Sequence, residues 1–409
     1  MRIHTVKEGD TIFKIARQYS TPTSSIIENN ALESPDRLYP GQKLVIFIPT
    51  RTYTARGGDS LEKIALRFST SKDTLIKNNP GLIDGEKIHP GKTLAVKYEP
   101  APFGNSVSNG FYSEDCPYER FKLFLPYLTY LTVSSHAFRG KRMARIFDYK
   151  EAVNEAKAHS VLPILRVYTD LDAKTLLKEK DAFINDAVEI SKKDGFCGVS
   201  VAAYRALEEE DDFLAFLEDL KRRLSEEGLF LHLELDGNRD MLSFGKYGEL
   251  ADLCLLNYEK LGETEIPDFN EGEYKILNEY GKTARKDKTL LDLSEPAFIN
   301  GEWKTVEEAE KIAIKTGACP SYSEETKLNS FSFNQYSKGK RERALALYPS
   351  PENTKAKLTL LGELGYMGAS FDIKSTPVSS LMIYHLLFHN EKRHKDSSHG
   401  NVRAPSCGM

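Results

Sequence analysis

Cysteine is scarce in this sequence and badly placed for structure: five residues (Cys116, Cys197, Cys254, Cys319, Cys407), an odd number, with no CxxC pair and no disulfide-like spacing. They read as free thiols made in a reducing compartment. Charge of one sign is missing as well. The 60 acidic and 56 basic residues leave a net charge of -4, so no global field draws the chain to nucleic acid or anionic lipid. No apolar run is long enough to span a bilayer, and no membrane insertion is expected. The first residues, MRIHTVKEGD, lack the apolar core of a secretory signal. A protein made in the cytoplasm and kept inside a cell, or delivered by a route that needs no signal, is the expectation. There is no P-loop and no dinucleotide fingerprint, so no cofactor is expected. His385 and His389 stand four apart on a helix but lack the glutamate of a zinc-protease motif and a third ligand. They read as ordinary helix surface, and no metal site is expected.

What remains is an ordinary globular composition, 40% hydrophobic and 28% charged, on 409 residues, enough for two or more domains. The first hundred residues hold two copies of one unit with a period of about 49 residues. Gly9-Asp10-Thr11 recurs as Gly58-Asp59-Ser60, Lys14-Ile15-Ala16 as Lys63-Ile64-Ala65, Asn29-Asn30 as Asn78-Asn79, and Pro40-Gly41 as Pro90-Gly91. Each copy reads as strand, helix, helix, strand. Asp10 or Asp59 is placed to cap the first helix, Ser24 or Asp73 precedes the second, and the Asn-Asn pair ends it.

This pattern closely resembles the LysM module, over residues 1–49 and again over 50–99. The resemblance implies binding of N-acetylglucosamine polymers, peptidoglycan or chitin, in a shallow groove between two loops. On this chain those loops carry Gly9, Asp10, Thr11 and Ile12 with Asn30, Ala31 and Leu32 in the first copy. In the second they carry Gly58, Asp59, Ser60 and Leu61 with Pro80, Gly81 and Leu82. The same Gly, Asp and Asn residues also suit turns and caps without any ligand, and two weak sites on one chain would gain by avidity on a polymer.

Residues 100–109 are rich in Pro, Gly, Ser and Asn and read as a linker. From Gly110 apolar strand-like runs alternate with amphipathic helices: 110–112, 128–134, 161–168, 199–204, 229–236, 252–258, 289–293 and 366–373. Eight such units over 110–392 predict an α/β fold, a (β/α)8 TIM-type barrel. An insertion over 303–348, with a helix over 307–315, precedes the last strand. The polar, aperiodic residues 393–409 read as a disordered tail.

The stretch Gly195 to Leu207 (GFCGVSVAAYRAL) reads as a buried parallel strand in which Ser200, Ala202 and Tyr204 share one face. Here the domain resembles family 18 glycoside hydrolases, and the whole architecture resembles spore cortex-lytic N-acetylglucosaminidases. The family's mark is Asp-x-x-Asp-x-Asp-x-Glu on the fourth strand. Aligned by Gly198, its four slots hold Cys197, Ser200, Ala202 and Tyr204, none of them a carboxylate. In the family the Glu protonates the leaving oxygen, and the preceding Asp orients the substrate's acetamido group. The sixth-strand Met-x-Tyr-Asp pattern survives only as Tyr258, and the last-strand tryptophan position holds Asp372; the only tryptophan, Trp303, lies in the insertion.

The fifth strand alternates Leu231, Leu233 and Leu235 with His232, Glu234 and Asp236, aiming three ionisable residues toward the barrel interior. One expectation is that they refill space left by the lost motif and pair with Arg166, Tyr204 or Tyr258. The other is that Glu234 and Asp236 form a relocated catalytic pair. Three functions stay open on the sequence: a wall-glycan-binding protein with a barrel emptied of its hydrolase residues; a weakened or rewired N-acetylglucosaminidase; and a docking protein at the spore coat-cortex boundary, with coat or cortex proteins as partners.

Overall fold

The computed structural model describes residues 1–83, 88–236, 244–257, 271–337 and 340–390. The first repeat folds as strand Arg2–Thr5, helices Ile12–Gln18 and Thr23–Asn29, and strand Lys43–Ile46. The second follows as Arg51–Thr54, Leu61–Arg67, Lys72–Asn78, a 3-10 turn Pro80–Leu82 and Thr93–Lys97. In both, the two strands pair antiparallel. Spacings of three and four put Ile12, Ile15 and Ala16, or Leu61, Ile64 and Ala65, on one helical face. Those faces close the small cores, with Ile26, Leu44 and Ile46 in the first module and Leu75, Leu82, Leu94 and Val96 in the second.

Asp10 and Asp59 do not cap the first helices, as the sequence suggested. Thr11 and Ser60 do, accepting the backbone N–H of Lys14 and Lys63 at 3.3 Å each. Gly9 and Gly58 turn the chain at φ of 78° and 82°. The following aspartate then closes the turn instead: Asp10 accepts from the Lys7 N–H at 2.8 Å and Asp59 from the Arg56 N–H at 2.7 Å. The second helices start earlier than expected, one after Pro22 with no side-chain cap and the other capped by Ser71.

The Asn-Asn pair does more than end a helix. Asn30 donates to the Ile26 and Val45 carbonyls and accepts from the Val45 N–H, all at 2.8 to 2.9 Å. Asn79 repeats this with Leu75 and Ala95 at the same distances. One amide thus ties helix to strand in each module. Replacing Asn79 by Ala strands the Ala95 N–H and two carbonyls, and stability should fall by roughly 1–3 kcal/mol for each group left unpaired in the interior. A denaturant titration of Asn79→Ala checks it, with an unchanged midpoint counting against the staple.

The third unit is a closed barrel of eight parallel strands: β1 (Asn105–Tyr112), β2 (Tyr130–Phe138), β3 (Leu162–Tyr168), β4 (Gly198–Ala202), β5 (Phe230–Asp236), β6 (Leu253–Asn257), β7 (Thr289–Asp292) and β8 (Gly368–Asp372). Pairing of β1 with both β2 and β8 closes it. The linker expectation for 100–109 needs correction, because residues from Asn105 onward belong to β1. Its polar side chains find polar partners on both faces: inside the barrel Thr132 donates to Asn109 and Asn109 to Ser370, both at 2.9 Å, while on the outer face the Tyr384 hydroxyl donates to Ser106 at 2.9 Å. A polar barrel layer reads as loop in sequence. Below it Val107, Tyr130, Ile164, Phe230, Leu253, Leu255 and Leu290 fill an apolar floor.

The insertion begins at Ala297 rather than Trp303 and forms a five-stranded antiparallel sheet packed on helix Val306–Thr316. The LysM modules pack on the barrel unit. Val45 and Phe47 belong to its main apolar core, and Lys43 pairs with Glu352 at 2.9 Å. His385, expected as plain helix surface, lies 2.9 Å from Asn78 Oδ1, on a face that the second module covers. The segment 393–409 lies outside the described residues. Cys116, Cys254 and Cys319 are free.

Candidate functional site

At the C-terminal end of the barrel strands lies a cavity of about 240 Å³ lined by Phe111, Tyr112, Ser113, Ser134, Arg166, Tyr204, Glu234, Leu255, Asn257, Asp292 and Asp372. Period-two alternation aims Arg166, Glu234, Leu255 and Asn257 inward from their strands, with Ser200 opposite both Arg166 and His232. Ser200 and Ala202 are fully buried, and their small size leaves room for longer groups from β3 and β5. Arg166 and Glu234 occupy it.

The pair is bidentate: Arg166 Nε donates to Glu234 Oε1 at 2.7 Å, and Nη2 to Oε2 at 2.8 Å. Arg166 Nη1 donates to Ser134 at 2.9 Å. Ser200 adds a hydrogen bond to Oε1 at 2.9 Å, and the Tyr204 hydroxyl donates to Oε2 at 3.0 Å. Four donors therefore converge on one carboxylate that is almost wholly buried. Burial alone would push Glu234 up, but the guanidinium and the hydrogen bonds override it and hold the carboxyl at about 2. Tyr204 moves the other way, because burial and the neighbouring Glu234 charge raise its phenol well above the ordinary value.

Proton donation to a leaving oxygen near neutral pH needs an acid with a pKa near the operating pH. Both groups are shifted away from that range, Glu234 toward the ionised carboxylate and Tyr204 toward the protonated phenol. Of the fourth-strand slots, Ser200 and Tyr204 are donors to Glu234, Ala202 is packing, and Cys197 lies buried just before β4. Asp236 is placed opposite Asn257 by strand register, while Tyr258 lies outside the described residues. His232 is fully buried one pair of residues below Glu234, with neither ring nitrogen hydrogen-bonded, and burial lowers it to about 4.

Asp292 and Asp372 reach the same cavity and were not singled out as site residues from sequence. Their signal was there: each is the last residue of a barrel strand. Asp292 accepts from the Ser294 N–H and hydroxyl at 3.1 and 2.6 Å, and Asp372 from the Lys374 N–H and the Ser375 hydroxyl at 3.2 and 2.6 Å.

In the first module Gly9, Thr11 and Ala31 are exposed, Leu32 is half-buried, Ile12 belongs to the core, and Asn30 is committed to its staple. In the second Gly58 is exposed and Gly81 half-buried, while Leu61, Pro80 and Leu82 are buried. The expected groove residues thus divide into lining and core, with both aspartates held in their turns.

Residues 4–47 and 53–97 each match the model of the LysM domain, so the chain carries two LysM domains. A curated relative, the cortical fragment-lytic enzyme of Bacillus subtilis (strain 168), is 50% identical over 46 residues, 11% of this chain and 11% of that protein's length. Among solved structures, the spore cortex-lytic enzyme SleL of Bacillus megaterium QM B1551 aligns over 96% of this chain and 99% of its own, with 19% identity and a TM-score of 0.72. SleL of Bacillus cereus gives the same coverage and score at 18% identity. The chitinase of Chromobacterium violaceum ATCC 12472 covers 69% of this chain and 98% of its own at a TM-score of 0.61 and 13% identity. At these identities the shared property is the fold: tandem LysM domains followed by a chitinase-like barrel.

Three outcomes check the role of these residues. Glu234→Gln leaves Arg166 uncompensated in the interior and should cost about 3–5 kcal/mol, whereas His232→Leu removes an unpaired buried imidazole and should raise the melting temperature. Because Glu234 is held at about 2, below an unfolded value near 4.3, its stabilisation is complete above pH ~4.3 and is lost as pH falls toward 2. Stability measured between pH 5 and 2 should therefore decline less steeply in Glu234→Gln than in the parent.

Proposed function

We propose that this chain binds an N-acetylglucosamine-containing glycan, peptidoglycan of the spore cortex or a chitin-like polymer, through its LysM domains, and that its barrel does not hydrolyse it. The observation that carries the second half is the Arg166–Glu234 pair. The carboxylate nearest the family's catalytic strand is ionised and fully hydrogen-bonded, and the positions that would hold the acid and its partner are Tyr204 and Ala202. Loss of a general acid costs about 10² to 10⁴ in rate, and here no orienting carboxylate accompanies it on that strand. The spore setting is inferred from the relatives, whose names place them on spore cortex.

A second reading has one observation in its favour: Asp292 and Asp372 line the cavity beside Tyr204. A rewired N-acetylglucosaminidase would use one of these carboxylates. Prolonged incubation of the full chain with N-acetylglucosamine oligomers and with spore cortex fragments, followed by mass spectrometry, separates the two. We expect retention on the insoluble glycan and no new products. Cleavage abolished by Asp292→Asn or Asp372→Asn would establish the second reading, and failure to bind either glycan would remove the first.

A further inference from the structure

We propose that the two LysM domains are unequal: the first carries the open glycan groove, and the groove of the second is held shut by Glu28 of the first. This rests on the glycan-binding reading above. The matching staples of Asn30 and Asn79 fix the equivalence of the following loops, so Ala31 corresponds to Pro80 and Leu32 to Gly81. Ala31 is exposed, whereas Pro80 is buried.

The cover is visible at Gly81. A Cβ placed on it would lie 2.6 to 3.0 Å from the carboxylate atoms of Glu28, so that carboxylate rests against the loop that would form one lip of the groove. Lys92, in the turn before the last strand of the second module, holds Glu28 there at 3.4 Å. Both partners are largely shielded from solvent, which strengthens their attraction relative to a surface pair. An acetamido group approaching the loop at Gly81 meets this carboxylate first. The second module is also fastened to the barrel unit, with the Tyr127 hydroxyl donating to the Lys77 carbonyl at 2.6 Å and His385 against Asn78. Both domains are thereby fixed on the barrel unit, the first one directly through Val45, Phe47 and Lys43. In the first domain Gly9, Thr11 and Ala31 are open to solvent, and Phe13 just beyond them is 74% exposed.

The test uses the full chain with the N-acetylglucosamine tetramer, read by amide NMR and by calorimetric stoichiometry. Shifts confined to residues 9–13 and 30–33, with one tetramer per chain, are the expected result. Glu28→Ala, and independently Lys92→Ala, should add shifts at 58–61 and 79–83 and raise the stoichiometry from one to two. Shifts in both domains of the parent chain, or a stoichiometry that stays at one in both variants, overturn the inequality while leaving glycan binding intact. No shifts in either domain overturn the glycan-binding reading and the inequality with it.

Discussion

A carboxylate buried inside a barrel needs a matched positive charge, and in this protein the match is Arg166 to Glu234. The interior is arranged around that requirement. Small residues on β4 admit the two long side chains, Ser134, Ser200 and Tyr204 supply hydrogen bonds, and Phe111 lies over the guanidinium at 5.6 Å. An ion pair of this kind offsets a large desolvation cost only when its geometry is good and its remaining polar atoms are satisfied. Both conditions hold, since Glu234 accepts four hydrogen bonds. The same interactions that make the pair stable hold its carboxyl well below the usual carboxylate range.

The other half of the molecule depends on simpler devices. Each LysM domain is too small to bury much apolar surface, and an asparagine amide supplies the helix-to-strand connection that a larger core would otherwise provide. Both domains are then packed on the barrel unit through Phe47, Lys43 and Asn78. A glycan held by the first domain would be held at a fixed position relative to the cavity of Asp292 and Asp372.

Much of this was legible in the sequence. The repeat was readable because Gly-Asp, Asn-Asn and Pro-Gly mark turns and helix ends at constant spacing, and the barrel because apolar runs alternate with helical periods. The start of β1 was not, since Ser106, Ser108 and Asn109 pair with other polar groups only once the barrel has closed. Helix caps shifted by a residue for a local reason, the positive φ of Gly9 and Gly58. His385 read as surface because nothing in its own helix announces that another domain covers it. Glu234 could be placed on the inward face from alternation alone, but whether it was an acid or half of an ion pair turned on Arg166, 68 residues away in the chain.

The central claim is that Glu234 is a permanently ionised structural partner rather than a proton donor. Carbon-13 NMR of the side-chain carboxyl, assigned by difference against Glu234→Gln and followed from pH 8 to 2.5, measures this directly. The expected result is a carboxylate that stays ionised down to the acid limit of the folded state. A midpoint between pH 5 and 7 would contradict it.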